Sequence, residues 1–347
     1  MRALVALAAL IASMAVGAAG CGGSGKPTDV VLVTHDSFVV TAAEKRAFEK
    51  ATGLKLRILK GGDAGEVLTR ALLTAGNPEG DVLFGVDNNL LSRALAGNVF
   101  EGYTPPALAD TDSAYDLDPR HRAVPIDHSE VCAVFDRDWF HAHHVPPPGR
   151  MSDLALPRYR GLTVVENPAT STPGLAFLLA SVARFGDPGW QTFWKRLRAN
   201  RTLVVDGWDE AYNARFSGGS ASGRYPIAVS YSTDPAAAVY FAGKKLARSP
   251  VGVIDDTCFR QVELAGVLRG SHNEEGAQEL VDFLLSKRFQ AGMPLTMFVL
   301  PVRGGVPLPS VFEQFAPALS HPLELPPARI GANRDRWVRE WTSTVLH

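Results

Sequence analysis

The stretch Asp29–Asn77 reads "DVVLVTHDSFVVTAAEKRAFEKATGLKLRILKGGDAGEVLTRALLTAGN", and its hydrophobic period switches repeatedly along its length. It opens on a run of β-branched and apolar residues that suits a buried strand. "TAAEKRAFEKATG" then takes helical spacing: Thr41 can cap, Glu44 follows three residues later, and Gly53 ends the run. "LKLRILKGG" alternates like a second strand, and "DAGEVLTRALLTAGN" returns to helix. Just beyond it, "DVLFGV" is a third apolar strand and "DNNLLSRALAGNVF" a third helix opened by polar residues. This alternation predicts a parallel sheet covered by helices. In such sheets ligands collect at the carboxyl ends of strands, where helices begin. Those ends here are "HDSF", "GGDAG" and "VDNN".

The middle of the chain repeats the theme. "GLTVVENP" is a strand leading into Val165–Ala180, "VENPATSTPGLAFLLA", which places three hydroxyls, a proline and a glycine ahead of an apolar helix. Ser171 or Thr172 can cap that helix, Pro173 suits its first turn, and Gly174 allows close approach. An open helix start also attracts anions, because its N–H groups lack partners and the dipole is positive there. "RTLVVDGWDEAYNARF" reads as strand, turn and helix. "YPIAVSYSTDPAAAVYF" reads as a strand ending in hydroxyls and an acid. "NEEGAQELVDFLLSKRFQAG" is a strong helix, and "RDRWVREWTSTVL" closes the chain amphipathically. There is no repeat of solenoid period.

At 347 residues the chain is long for one core, so two lobes are expected. Its 46% hydrophobic and 20% charged residues place it among globular proteins. With 35 basic against 36 acidic residues it lacks the basic surface that nucleic acid would require. The N-terminus differs from the rest. Arg2, the apolar "ALVALAALIASMAVGAAG" and Cys21 form a secretory leader. "AAGC" resembles a lipobox, which would make Cys21 the lipidated first residue of the mature protein, with "GGSGKPTD" as a flexible tether. An ordinary cleaved signal is the alternative. Cys132 and Cys258 both lie in strand-like segments. After export they either pair, if those strands adjoin, or stay as two buried thiols.

"HDSF", "DVLFGVDNNLLSRALAGNVF", "NPATSTPGLAFLLA", "DGWDEAY" and "VSYSTDPA" stand in the order and spacing of bacterial thiamine-binding periplasmic proteins, the capture components of ABC importers. The resemblance runs from about Val31 to the C-terminal "WVREW". It implies an α/β fold of the periplasmic-binding-protein type II class, with two lobes closing over a ligand cleft. The organisation it suggests is a leader over 1–21, a tether over 22–29, the first lobe over 30–126, the second over 127–262, and a return to the first over 263–347. It implies thiamine or its phosphates as ligand, a membrane permease as partner, an extracytoplasmic monomer, and no cofactor or metal; the lipobox-like "AAGC" adds the expectation of a lipid anchor on Cys21. Position by position it implies a site made of His35, Asp36, Ser37, Asp63, Ser171, Thr172, Trp208, Tyr231 and Phe298. A thiazolium cation and a flat aminopyrimidine want aromatic faces and carboxylates or hydroxyls, which this set supplies.

The chain also departs from that pattern. His35 stands where the family has Tyr, Ala237 replaces a second Tyr, Phe298 replaces Trp, and "VVTAAE" shortens a Trp-bearing segment. The aromatic box is therefore expected to be thinned. Protonated, His35 would repel a thiazolium. Three other functions compete with this one. Another small cationic or phosphorylated ligand would fit a thinned box. Iron(III) relatives of this fold use adjacent tyrosines, which are absent here, while His141, His143 and His144 could only reach zinc from a loop. An exported hydrolase is disfavoured, because His35, Asp36 and Ser37 follow one another and cannot converge as a triad. The chain has no G-x-S-x-G elbow, H-E-x-x-H helix, G-x-G-x-x-G loop or Walker loop.

Overall fold

A computed structural model describes residues 27–219, 222–316, 319 and 321–347, so the leader, Cys21 and most of the tether lie outside the described residues. The alternation read from the first hundred residues is realised. Strands β1 (Asp29–Thr34), β2 (Lys55–Lys60) and β3 (Val82–Asp87) pair in parallel in the order β2-β1-β3. The helix Ala42–Thr52 begins in a full capping box, in which the Thr41 hydroxyl accepts from the Glu44 N–H and the Glu44 carboxylate accepts from the Thr41 N–H. It ends at Gly53, whose φ of 76° is the left-handed geometry glycine adopts freely.

Two long antiparallel strands carry the sheet onward. β4 (Val124–Asp136) and β8 (Val251–Val267) pair along nearly their whole length, and β8 also pairs with β3. On the far side β4 pairs with β7 (Ile227–Tyr231), followed by β5 (Thr163–Glu166) and β6 (Leu203–Val205), while β9 (Leu300–Pro301) adds to β4. One nine-stranded sheet with the order β2-β1-β3-β8-β4-β7-β5-β6 thus spans both lobes. The lobe boundaries expected near 126 and 262 fall inside β4 and β8, the two strands that cross between the lobes. Cys132 and Cys258 are joined by a disulfide that ties these two strands together.

Each lobe keeps its own core. In the first, Val30, Leu32, Phe48, Val82 and Phe84 pack under the helices Glu274–Leu284 and Lys287–Thr296. In the second, the helix Thr172–Phe185 is buried along its first eleven residues, and Phe177 packs edge-on against Trp194. The C-terminal helix Pro327–Val345 corrects the expectation that residues 263–347 all return to the first lobe. It lies against the second-lobe helix Gly189–Ala199 as well as the first-lobe helix Leu91–Ala96. Its apolar stripe supplies the reason: Trp341 meets Trp194 at 5.3 Å, and Trp337 Nε1 donates to Asp187. No helix among the described residues is long and apolar enough to cross a membrane.

Candidate functional site

Between the lobes lies a cavity of about 730 Å³, a size that suits a small organic ligand. The first lobe lines it with the loop after β1, the start of the helix after β2, and the segment Thr296–Val299. The second lines it with the start of the helix Thr172–Phe185, the turn after β6, the end of β7 and the helix Asp234–Phe241. Eight of the nine residues expected at the site meet there: His35, Asp36, Ser37, Asp63, Thr172, Trp208, Tyr231 and Phe298. Ser171 does not reach the cavity wall. It is buried behind it, where its hydroxyl caps the helix at Gly174 N–H and supports Asp63.

Asp63 is the pivot of this arrangement. It caps the first-lobe helix Ala64–Leu73, with Oδ1 accepting from Ala64 N–H at 2.7 Å. The same oxygen accepts from Thr172 N–H at 3.2 Å, and Oδ2 accepts from Trp208 N–H at 3.2 Å. One carboxylate from the first lobe thus fills the open helix start of the second. Burial pushes its pKa up, and those backbone bonds together with the Ser171 hydroxyl oppose the rise. The lobes approach closely beside it. A Cβ on Gly65 would stand 2.3 Å from the Thr170 carbonyl, so glycine is required for this closed contact. Gln261 adds a second link, its amide donating to Asp87 of the first lobe and to Thr172 Oγ1 of the second.

The aromatic wall is fuller than the sequence suggested. After β6 the chain takes a π-helical turn over Glu210–Arg215, a rare geometry that concentrates at functional sites. It brings Tyr212 under Trp208 with rings 5.3 Å apart and nearly parallel. Trp208 is further fixed by Nε1 donating to Ser230 Oγ at 2.8 Å, and Tyr231 tilts against it at 6.1 Å. Tyr212 escaped the sequence reading, although its spacing of four from Trp208 was the available signal.

The wall also holds five carboxylates, Asp36, Asp63, Asp209, Asp234 and Glu263, with no Lys or Arg among the described lining residues. Behind Glu263 the acids continue. Asp127 on β4 and Asp87 on β3 both stand opposite it in strand register, so the three side chains share one face. Burial pushes Asp87 and Asp234 up to about 7. Burial, and then the neighbouring Asp127 and Asp87, hold Glu263 well above the carboxylate range. Burial also raises Asp127, one of whose carboxylate oxygens has no hydrogen-bond partner. His35 goes the other way. Burial, and then the Lys60 ammonium, hold its imidazole down to about 4, so it is neutral and its 3.6 Å approach to Glu263 is not an ion pair. The repulsion feared from a protonated His35 is therefore absent. Glu263 and Asp234 were missed in the sequence, although a carboxylate inside the apolar "QVELAGV" is a visible anomaly.

Asp36 and Ser37 sit at the rim, where the Asp36 carboxylate accepts from Gly62 N–H and its carbonyl from Lys60. Asp87 and Asn88, in the strand end "VDNN", act locally: Asp87 accepts from Asn89 and Leu90 N–H, and Asn88 bonds Val262 and Arg260 on β8. The histidine-rich loop lies elsewhere, with His143 stacked on Trp139 at 3.9 Å.

Residues 77–322 match the profile of the bacterial extracellular solute-binding proteins. The chain is 29% identical to the thiamine-binding periplasmic protein of Escherichia coli over 91% of its length and 93% of that protein. It is 27% identical to the protein of the same name from Brucella suis, covering 91% and 92% respectively. A solved structure of a periplasmic thiamin binding protein superposes with a TM-score of 0.81 at 28% identity, over 93% of this chain and 98% of the other.

Proposed function

We propose that this chain, which belongs to the bacterial extracellular solute-binding proteins, captures thiamine outside the cytoplasm and delivers it to a membrane importer. The observation that carries this reading is the cavity wall. A pinned stack of Trp208 and Tyr212 adjoins several carboxylates, with no Lys or Arg among the described lining residues. A flat organic cation answers both features, through ring stacking, cation–π attraction and charge pairing. The cation would also favour ionised Asp234 and Glu263, whose pKa values are pushed up by burial and, for Glu263, by the neighbouring acids.

The same wall argues for free thiamine over its phosphates. The helix start at Thr172, where an anion would be welcome, is already filled by the Asp63 carboxylate. Each added phosphate charge would face carboxylates without a compensating cation.

Capture would proceed by hinge closure about β4 and β8, with Asp63 engaging Thr172 and Trp208 only when the lobes meet. The closed monomer would then dock on a permease powered by a separate ATPase, and lipid on Cys21 would hold it at the membrane surface. Replacing Cys21 by Ala should release the protein into the medium. Retention of that variant at the membrane would exclude the anchor.

The test is isothermal titration of the form lacking residues 1–21 with thiamine, its mono- and diphosphate, and the isolated aminopyrimidine. Tight binding of thiamine and weaker binding of the diphosphate is expected. Binding of none of the four would remove thiamine as the ligand. Tighter binding of the diphosphate would overturn the preference for the free vitamin.

A further inference from the structure

Two aromatic rings meet at the mouth of the cavity in circumstances that the fold alone does not explain. Phe241 ends the helix Asp234–Phe241 of the second lobe, lines the cavity, and is 72% exposed. Phe298 lies in the first-lobe segment between the helix Lys287–Thr296 and β9, also lines the cavity, and has φ 56°. That left-handed geometry is unfavourable for a bulky residue and tends to be kept where it serves a site. The two rings stand 5.1 Å apart across the gap between the lobes, with Tyr240 beside them at 5.7 Å from Phe298. Phe298 in turn lies parallel to the buried Phe312 at 6.0 Å, which gives it a fixed backing that Phe241 lacks.

One helical turn before Phe241, on the same helix face, is Ala237, which lines the wall and is 8% exposed. The small residue leaves space inside, and the large ring stands outside it. A ring so placed exposes apolar surface to water, unless a ligand in the space below covers it.

We infer that Phe241 and Phe298 form an aromatic clamp that closes the cleft mouth over a flat organic cation, with Phe241 as a residue that sets ligand residence and specificity. The inference rests on the flat-cation reading of the cavity. Phe298 brings the fixed jaw, aimed by its backbone and backed by Phe312. Phe241 brings the other, from the end of the helix Asp234–Phe241, against which the helix Ser310–Phe315 that carries Phe312 also packs. Ring faces above the ligand add to the Trp208 stack below it and obstruct its escape. The clamp therefore acts on dissociation more than on association.

Phe241 is exposed, so its truncation should leave the fold intact. Stopped-flow fluorescence and titration would compare the wild type with Phe241→Ala, Phe241→Trp and Phe298→Gly. The ligands would be thiamine and 3-benzylthiazolium, a second flat cation without the vitamin's other groups. We expect Phe241→Ala to speed dissociation about tenfold with little change in the association rate, as loss of one cation–π face implies. Phe241→Trp should restore slow release. Phe298→Gly should release faster than the wild type, and its loss of stability should be smaller than that of Phe298→Ala, because glycine relieves the left-handed backbone as it removes the ring.

Unchanged dissociation of both ligands from a folded Phe241→Ala variant would overturn the clamp. If that variant bound normally but failed in transport, the exposed rings would be a permease contact, and the clamp would again fall. If the wild type bound 3-benzylthiazolium but not thiamine, and Phe241→Ala loosened it, the clamp would stand and the thiamine reading would fall. If neither cation bound, both would fall.

Discussion

The cleft holds two aromatic groups built by opposite rules. Trp208 is pinned, its indole N–H held by Ser230, its face on Tyr212 and its backbone N–H on Asp63. Phe241 is loose, 72% exposed at a helix end. Both offer a π-face to the same cavity, yet they pay different costs on binding. The pinned ring is already ordered, so its stacking counts nearly in full towards affinity. The loose ring must be immobilised first, which subtracts from what it contributes to the equilibrium. What the loose ring adds is a cover over the bound ligand, and its loss should appear in the dissociation rate and lower affinity by the same factor. The larger share of affinity should therefore reside in the wall and a smaller share at the mouth.

The sharpest way to break this comparison is Trp208→Ala. It removes a stacking and cation–π partner worth about 2–3 kcal/mol in a desolvated site, so thiamine affinity should fall about 30- to 150-fold. Titration of the folded variant decides it. A smaller loss than that of Phe241→Ala would invert the assignment of the two groups.

Next in size is Asp63→Asn. An amide can still accept at Ala64 and Thr172, but its –NH2 would face the Trp208 N–H, donor against donor. The variant should lose about tenfold in affinity, in keeping with one charge-assisted bond. It should also close less completely when thiamine is added, as seen by small-angle scattering. Wild-type affinity and wild-type compaction together would show that Asp63 does not latch the lobes.

How much of this was legible beforehand depended on sequence distance. The three βα units announced themselves through local chemistry, such as the Thr41–Glu44 box and Gly53, because caps and turns are settled within a few residues. Most residues lining the candidate site could be picked out as well, since Asp63, Thr172, Trp208 and Tyr231 sit where strands give way to helices. What stayed hidden depends on partners far along the chain. Asp127 and Glu263 became neighbours only through the β4–β8 register, and Ser171 is buried behind the wall beside Asp63, a partner from the other lobe. Ala237 suggested a lost ring, but the register of one helical turn supplied Phe241 instead. The C-terminal helix crossed the expected lobe boundary for the same reason, because its tryptophan stripe sought a distant apolar face.

A smaller effect tests the environment of the pinned wall through pH. Asp87 and Asp234 are pushed up to about 7 by burial, and Asp127 is raised with them. In the unfolded chain these carboxyls release their protons near 4, so above that pH the native state binds more protons than the unfolded one. Stability should therefore fall as pH rises from about 4 through the native values. His35 and His128, both lowered to about 4 by burial, oppose this between about 4 and 6.5, and then contribute no further slope. Above about 6.5 the carboxyls act unopposed by these two histidines. The ligand-free protein should melt lower at pH 8 than at pH 6.5, and Asp127→Asn should flatten that slope. A bound cation favours the ionised carboxyls, so saturating thiamine should raise the melting temperature more at pH 8 than at pH 6.5. Equal gains at both pH values would separate the acids from the ligand.

The smallest expected effect belongs to Ser171→Ala, and it separates two accounts of the same helix start. If "TSTPG" held a phosphate, losing the hydroxyl would weaken thiamine monophosphate selectively. The structure puts Ser171 behind the wall, capping Gly174 over a long 3.5 Å bond and supporting Asp63. Its loss should then cost about 0.5–1 kcal/mol of stability, as for a weak N-cap. Affinity for thiamine and for the monophosphate should drop together by no more than about threefold, because the hydroxyl acts on both through Asp63 alone. Parallel titrations of the two ligands give the answer. A loss confined to the monophosphate would mean that Asp63 yields the helix start to an anion, and that the second lobe, like the first, binds through its open strand ends.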